Sequence, residues 1–162
     1  MHDTHMRGFT LIEVVVASAI CLTIVVGIVG AFVGTLRVSA NSTARVQAAF
    51  LEEEGLEALR ILRDNGWTSN IASLTSGTTY YLTYDSAAAT WKATTTRSSI
   101  DATFYRTFVL SDVYRDGSKN IVTSGGTLDS AIKKCTVSVA WQDRNATTTK
   151  SLSTYLTNIF SN

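Results

Sequence analysis

The hydrophobic pattern changes twice along the chain. From Val14 to Leu36 the sequence is apolar, with no charged residue over 23 positions, which is long enough for a helix to span a bilayer. From about Arg37 to Asp64, apolar residues recur at helical spacing with charged residues between them. From Trp67 onward, Thr, Ser, Tyr and Val replace the helix-forming residues, as is typical of β-strands. The pattern predicts a long helix followed by a β domain, which is an α+β fold.

The helix is predicted to run without interruption over Phe9–Asp64, because the chain contains no proline. At 1.5 Å per residue it would be roughly 80 Å long. Asn65-Gly66 is expected to cap its C-terminus. The Glu52–Glu54 cluster is expected on a solvated face, or against Arg37 or Arg45 of a neighbouring chain. The face expected to pack on a sheet comprises Leu51, Gly55, Leu56, Ala58, Leu59 and Leu62.

The first part of the β domain is predicted to contain a hairpin and a separate strand. Tyr80–Tyr84 and Thr90–Thr95 flank a loop and are predicted to pair with each other. Phe104–Tyr114 is predicted to be a strand with apolar residues on one face, where Arg106 is the exception. Asp116-Gly117 should form the turn after it.

A second hairpin is predicted at the end of the chain. Lys134–Trp141 alternates between apolar and polar residues and should pair with a last strand at about Thr147–Thr157. One face of this antiparallel pair should pack on the apolar stripe of the helix, and its Thr/Ser face should meet water or neighbouring subunits. Lys119–Asp129, which contains Ser124-Gly125-Gly126, is expected to be a flexible loop.

Composition argues against several kinds of chemistry. The net charge is +1 and the lysines are scattered, so no specific nucleic-acid surface is predicted. Cys21 lies in the apolar run and Cys135 lies far from it, so neither a CxxC redox motif nor a thiolate zinc cluster is available. Asp112, Asp116 and Asp129 do not match the spacing of a calcium loop and are expected to be turn residues. No enzymatic activity, cofactor or metal is therefore predicted.

One carboxylate, Glu13, lies at the start of the apolar run, within the hexamer Gly8-Phe9-Thr10-Leu11-Ile12-Glu13. A charge inside a membrane helix costs roughly 2.5–3.5 kcal/mol on insertion scales, which makes Glu13 a functional candidate. An ordinary secretory signal peptide has an apolar region of about 7–15 residues, followed by a small-residue cleavage site. This run is longer, and the polar leader ends before it. The apolar segment is therefore expected to stay in the mature protein.

The hexamer resembles the processing site of type IV prepilins and of the related pseudopilins of type II secretion. The resemblance implies that prepilin peptidase cuts between Gly8 and Phe9 and that Phe9 is then N-methylated. The predicted layout as a whole also resembles the pilin architecture, in which a long N-terminal helix packs on a small antiparallel sheet. The regions implied are a leader peptide at 1–8, a transmembrane and filament-core half of the helix at 9–36, an amphipathic half at 37–66 and an exported antiparallel β domain at 67–162.

Cleavage would change the chemistry available at the N-terminus. It would remove both histidines of the chain, His2 and His5, so the mature protein could not use a His-based triad. It would also create an α-ammonium on Phe9, one helical turn before Glu13. In a dry filament core neither charge could stay unpaired without a cost of several kcal/mol. We therefore predict that Glu13 pairs with the Phe9 amine, most usefully that of an adjacent subunit, and sets the axial register of assembly. The alternative is a Glu13 solvated at the bilayer edge.

The resemblance implies a structural subunit of a type IV pilus or of a type II secretion pseudopilus. The partners implied are prepilin peptidase, other pilins or pseudopilins, and the inner-membrane assembly platform. The expected location is the bacterial inner membrane, crossed once with the N-terminus in the cytoplasm, and afterwards a filament outside it. Segments similar to those of PilV-type minor pilins and I-type minor pseudopilins occur at Lys133–Trp141, Glu53–Leu62 and Arg63–Trp67; they are too short to separate these two classes or to exclude a major pilin. The disulfide loop near the C-terminus of many major pilins is absent, which favours a minor subunit.

Two other classes of protein remain open from the sequence. The first is a single-span, membrane-anchored adhesin or binding module that never polymerises. The second is a small membrane-anchored hydrolase that uses carboxylates or a Ser–Lys pair. A hydrolase would need convergent polar residues in a pocket, and the sequence supplies no such constellation.

Overall fold

The computed structural model describes residues 10–143 and 146–160. Within them, one long helix and a short π-helical turn at Thr68–Ala72 precede six strands of an antiparallel sheet. The long helix is α1 (Leu11–Asp64), and the strands are β1 (Thr79–Asp85), β2 (Thr90–Thr94), β3 (Phe104–Arg115), β4 (Ile121–Val122), β5 (Thr127–Asp143) and β6 (Ala146–Thr157).

The chain divides into two compact units, Met1–Thr43 and Ala44–Asn162. In the described part of the first unit, α1 is an apolar helix whose residues are exposed from Leu11 to Ala40. In the second unit, the remainder of α1 packs on one face of the sheet. The structure is an α+β, pilin-like fold, as the sequence predicts.

Helix α1 ends at Asp64, which confirms the predicted C-terminus. Its last turn is closed by hydrogen bonds from the Asn65 amide to the Ile61 carbonyl at 2.9 Å and from the Gly66 amide to the Arg63 carbonyl at 3.2 Å. Gly66 has a φ of +145°, which residues with a side chain rarely adopt. The Phe9 at which the helix was expected to begin lies outside the described residues.

The strand order is β2-β1-β3-β5-β6, with the short β4 paired to β3. Strands β1 and β2 form the predicted first hairpin, and β5 and β6 form the predicted second one. The register places Arg106 of β3 opposite Val139 of β5, and Val139 opposite Lys150 of β6. These three residues form one row across the sheet, on the face that packs against α1.

The hydrophobic core lies between the second-unit part of α1 and the sheet. Leu56, Leu59 and Leu62 of the helix pack with strand residues, which confirms the predicted apolar stripe. A second cluster lies nearer the N-terminal end of this helix segment and consists of Ala48, Phe104, Val139 and Trp141. The strand residues of the main cluster are Leu82, Phe108, Leu110, Cys135, Val137 and Leu156.

The segment Lys119–Asp129 is not the continuous loop expected from its glycines. It contains β4 at Ile121–Val122 and the first residues of β5. Arg115 holds both sides of it, because its guanidinium donates to the Lys119 carbonyl and to the Asp129 carboxylate, each at 2.6 Å. The prediction failed because a pairing partner far along the chain, the end of β3, orders this glycine-rich segment.

Candidate functional site

The apolar half of α1 presents its side chains outward in every direction. From Leu11 to Leu36 the described side chains are exposed, including large ones such as Leu11, Ile12 and Phe32. Among the described residues, α1 is the helix that is long and apolar enough to cross a membrane, and its most apolar window has no buried residue. Such a surface needs lipid or another apolar surface around it.

The hydroxyl groups in this segment do not need an external partner. Ser18 donates to the Val15 carbonyl at 2.9 Å and Thr23 donates to the Ala19 carbonyl at 2.9 Å. Thr35 makes the same kind of bond to the Ala31 carbonyl at 3.1 Å. Each hydroxyl is thus satisfied by the helix itself, which suits an apolar environment.

Glu13 lies in the first turn of α1 and is exposed. Its amide donates to the Thr10 carbonyl at 3.0 Å, so the helix begins immediately before it. A carboxylate in the first turn interacts favourably with the helix dipole. The other two predicted site residues, Gly8 and Phe9, lie outside the described residues. The predicted pair between Glu13 and the Phe9 amine therefore stays a prediction.

Three glycines in the apolar half of α1 have no packing role within the chain. A Cβ atom built on Gly27, Gly30 or Gly34 would meet nothing within 4 Å. Gly also weakens a helix interior by about 1 kcal/mol relative to Ala. Gly30 and Gly34 are spaced as in the small-residue motif that lets two membrane helices approach closely. A reason for these glycines must therefore be sought in contacts between chains or in local bending.

The Glu52–Glu54 cluster was expected on a solvated face, and this prediction is wrong for Glu52 but holds for Glu53 and Glu54, which are exposed. Glu52 is 2% exposed. Glu54 is half exposed and accepts a 2.6 Å hydrogen bond from Arg106 Nη1. Glu53 is exposed as expected. Arg106 and Lys150 stand on either side of Val139 in one row of the sheet, and they pair with Glu54 and Glu52, respectively.

Arg106 is almost fully buried in the second unit, where it contacts three different groups. Its Nη1 donates to the Leu51 carbonyl at 3.2 Å as well as to Glu54. Its guanidinium carbon lies 5.0 Å from the centroid of the Trp91 ring, a cation–π distance. A buried cation needs such partners to offset its lost hydration. In the sequence, this site was marked by Arg106, a charged residue on the apolar face of the predicted strand.

Glu52 makes the weaker of the two helix–sheet ion pairs. Its Oε2 lies 3.6 Å from Lys150 Nζ, and its Oε1 has no hydrogen-bond partner among the described residues. Burial raises the pKa of the Glu52 carboxyl above its usual value, and Glu53 adds to the effect, while Lys150 partly opposes it. The ionised form of Glu52 is thus tolerated rather than favoured by its surroundings.

The three aspartates considered for a calcium loop have separate structural roles. Asp112 accepts hydrogen bonds from Lys133 Nζ and from the Ser76 hydroxyl. Asp129 pairs with Arg115, and Asp116 caps its own turn by accepting from the amides of Ser118 and Asn120. These bonds hold the pKa of each carboxyl below its usual value. Within residues 10–143 and 146–160, no three His, Cys, Asp or Glu side chains cluster as a metal site would require.

The two cysteines occupy different environments and are both free thiols. Cys135 is buried in the main core, and burial raises the pKa of its thiol to about 12. It is therefore a small apolar core residue with no thiolate for chemistry near neutral pH. Cys21 is exposed on the apolar half of α1.

Comparison with known proteins identifies the N-terminal segment. Residues 4–29 match a family model described as the prokaryotic N-terminal methylation motif. The matched range contains Gly8, Phe9 and Glu13 and continues into the exposed apolar half of α1. A search of curated proteins and a search of solved structures each found no match. The motif, the membrane-length apolar helix and the α+β fold together support the type IV pilin and pseudopilin family broadly, which suggests a structural subunit.

Proposed function

We propose that this protein is a minor structural subunit of a type IV pilus or of a type II secretion pseudopilus. It is made as a prepilin, is cleaved and methylated at its N-terminus, and polymerises through α1. One observation carries the proposal: a prokaryotic N-terminal methylation motif leads directly into an apolar helix whose side chains are all exposed over Leu11–Leu36. A membrane covers such a surface before assembly, and neighbouring helices cover it in a filament.

Processing takes place between Gly8 and Phe9, so residues 1–8 form the leader. The peptidase must approach the backbone closely there, and glycine has no side chain to obstruct it. We expect the mature N-terminal peptide to begin with N-methylated Phe9 when its mass is measured. Gly8→Val should leave full-length precursor in the membrane. Normal maturation of that variant would contradict the processing assignment.

The membrane-spanning part is the segment 9–36, with the N-terminus in the cytoplasm and the β domain exported. Charge alone does not dictate this orientation, because Arg7 lies on one side of the span and Arg37 and Arg45 lie on the other. The short leader and the methylation motif support it. Protease added to spheroplasts should digest the chain beyond Arg37. Protection of the region 80–162 from that protease would contradict the orientation.

Assembly requires that the apolar half of α1 move from lipid into contact with other subunits at the inner-membrane assembly platform. The hollows at Gly30 and Gly34 would let a neighbouring helix approach. Glu13 would pair with the Phe9 amine of an adjacent subunit and set the axial register. No other charged side chain occurs between Phe9 and Leu36.

The Glu13 role is tested by Glu13→Val, with cleavage as the internal control. We expect this variant to be processed, to sit stably in the membrane and to be depleted from sheared filaments. Glu53→Val, which removes an exposed carboxylate elsewhere on α1, should be incorporated normally. Normal incorporation of Glu13→Val would exclude the pairing. Absence of the unmodified protein from purified filaments would instead favour a membrane-anchored module that does not polymerise.

A further inference from the structure

A groove of about 690 Å³ lies on the face of the sheet that points away from α1. It crosses β3, β5 and β6, whose outward residues alternate with the buried ones. Thr107 is opposite Ser138 in the register, and Tyr105 is opposite Ala140, which is opposite Thr149. The volume falls in the range of about 300–1,000 Å³ that is usual for ligand sites. No part of the proposed assembly function uses this groove.

A tight turn at Ile100–Phe104 forms one wall of the groove. The Ile100 amide donates to the Phe104 carbonyl at 2.7 Å and the Phe104 amide donates back to the Ile100 carbonyl at 3.0 Å. Asp101 and Ala102 between them have φ values of 49° and 54°, a left-handed conformation that residues with a side chain seldom adopt. Such conformations persist where the surroundings fix them, and they cluster at ligand sites. Here the turn fixes the position of Ala102 and Thr103 at the groove wall.

Arg97 is the single charged side chain among the described residues that line the groove. Its guanidinium carbon lies 4.1 Å from the centroid of the Tyr105 ring, so the cation is held over an aromatic face. Within the described chain Arg97 makes no ion pair, and it is exposed. Its planar donor fork is therefore positioned and available for a carboxylate.

The rest of the lining is neutral and rich in hydroxyl groups. Hydroxyl side chains act as both donors and acceptors, and Tyr81 and Tyr105 add ring surface to one side of the groove. The Ser138 hydroxyl is 2.8 Å from the Ser151 hydroxyl, which fixes its position and leaves it further bonding capacity. This combination suits a ligand with many hydroxyl groups, exposed C–H faces and one negative charge per binding site.

We propose that this groove binds an acidic saccharide, with the sugar carboxylate on Arg97 and the sugar rings against the tyrosines and hydroxyls. A nucleic acid fits less well, because strand binding relies on several cations and the groove has one. An extended peptide is also disfavoured. It would pair with an open strand edge, whereas the groove lies on a sheet face where the main-chain groups of β3 and β5 are already paired.

The test is calorimetric titration of the full chain, purified in detergent micelles, with trisaccharides of galacturonate, glucuronate and mannuronate. We expect at least one of them to bind, and neutral maltotriose to bind at least about tenfold more weakly, as the loss of a charge-assisted contact predicts. Arg97→Gln should reduce the affinity for the acidic sugar by about tenfold, and Arg97→Lys should lie between Arg97→Gln and the parent. Arg60→Gln changes an exposed arginine outside the groove and is the matched control.

The result is decisive in either direction because Arg97 is exposed and its replacement should leave the fold intact, as circular dichroism can verify. Four outcomes would overturn the proposal: no binding of any acidic trisaccharide at millimolar concentration, equal binding of maltotriose, equal binding by Arg97→Gln, or tighter binding of a tri-aspartate peptide or a short single-stranded oligonucleotide. None of these outcomes bears on polymerisation, so the proposed assembly function is tested separately.

Discussion

Arg106 and Glu54 connect β3 to α1 through an ion pair whose two ends lie in different environments. Arg106 Nη1 is 2.6 Å from Glu54 Oε2, and the side chains are 3% and 50% exposed, respectively. The pair of Lys150 and Glu52 has the opposite arrangement: the Glu52 side chain is 3% exposed and the Lys150 side chain 48%, and Nζ lies 3.6 Å from Oε2. Two carboxylates on one stretch of α1 therefore face two cations on either side of Val139. Arg106–Glu54 is the close pair, and Lys150–Glu52 is the loose pair.

The close pair should matter for stability. Glu54→Gln is expected to lower the free energy of unfolding by about 1–2 kcal/mol, because Arg106 stays buried with a weakened partner. The loss is smaller than the 3–5 kcal/mol typical of breaking a fully buried pair, since water reaches Glu54. Urea unfolding of the full chain in detergent, followed by tryptophan fluorescence, measures it. Glu53→Gln, on the exposed side, is the control, and equal effects of the two variants would contradict the role of the pair.

Removing the charge of Glu52, in the loose pair, should not lower the stability of the protein at pH 7. Because the pKa of Glu52 is raised in the folded state, the folded protein binds a proton there more readily than the unfolded chain does. The Glu52 contribution to stability should therefore increase as the pH falls toward 4.5, its ordinary pKa, and decrease as the pH rises through the folded-state value. Glu52→Gln should remove this dependence and be at least as stable as the parent at pH 7. Urea unfolding of both proteins between pH 5 and pH 8 checks the prediction, and a marked destabilisation of Glu52→Gln at pH 7 would contradict it.

Acid should destabilise the protein through a different group, Asp112. Its hydrogen bonds from Lys133 and Ser76 lower the pKa of the carboxyl, so its contribution is complete above the usual value of 3.8 and is lost as the pH falls through the lower folded value. Asp112→Asn should flatten the loss of stability below about pH 4. Thermal melting of parent and variant across the acid range measures the slope. An unchanged slope would show that Asp112 makes no net contribution.

Two glycines of α1 should respond to alanine in opposite directions. A Cβ on Gly55 would lie 2.9 Å from both Arg106 Cδ and Val137 Cγ1, so Gly55→Ala should destabilise the second unit by about 1–3 kcal/mol through overpacking. Gly30→Ala meets nothing within 4 Å and should favour the helix by about 1 kcal/mol. Urea unfolding followed by tryptophan fluorescence should report the first effect, and circular dichroism in detergent should report the second. If Gly30→Ala also reduces incorporation into filaments, the glycine acts between chains; an unstable Gly30→Ala monomer would contradict that interpretation.

Much of the fold could be predicted because it follows from local periodicity. The helical spacing of Leu56, Leu59 and Leu62 predicted the packed face of α1, and Asn65-Gly66 predicted its C-terminal end. Alternation predicted β3 and β6 nearly to their ends, whereas β5 begins at Thr127, well before the predicted Lys134. The segment Lys119–Asp129 was missed because its order comes from pairing with the end of β3, which no local pattern reveals.

Local sequence is enough to specify the features that depend on neighbouring residues. These are the methylation motif, the uncharged run long enough for a membrane and the alternation of helix and strand patterns. The burial of charged side chains depends instead on how distant segments pack together. The environments of Glu52 and Glu54 depend on the rotation of α1 over the sheet and on the register that aligns Arg106 with Lys150 across Val139. Those relations join residues far apart in the chain, so the identities of adjacent residues could not specify them.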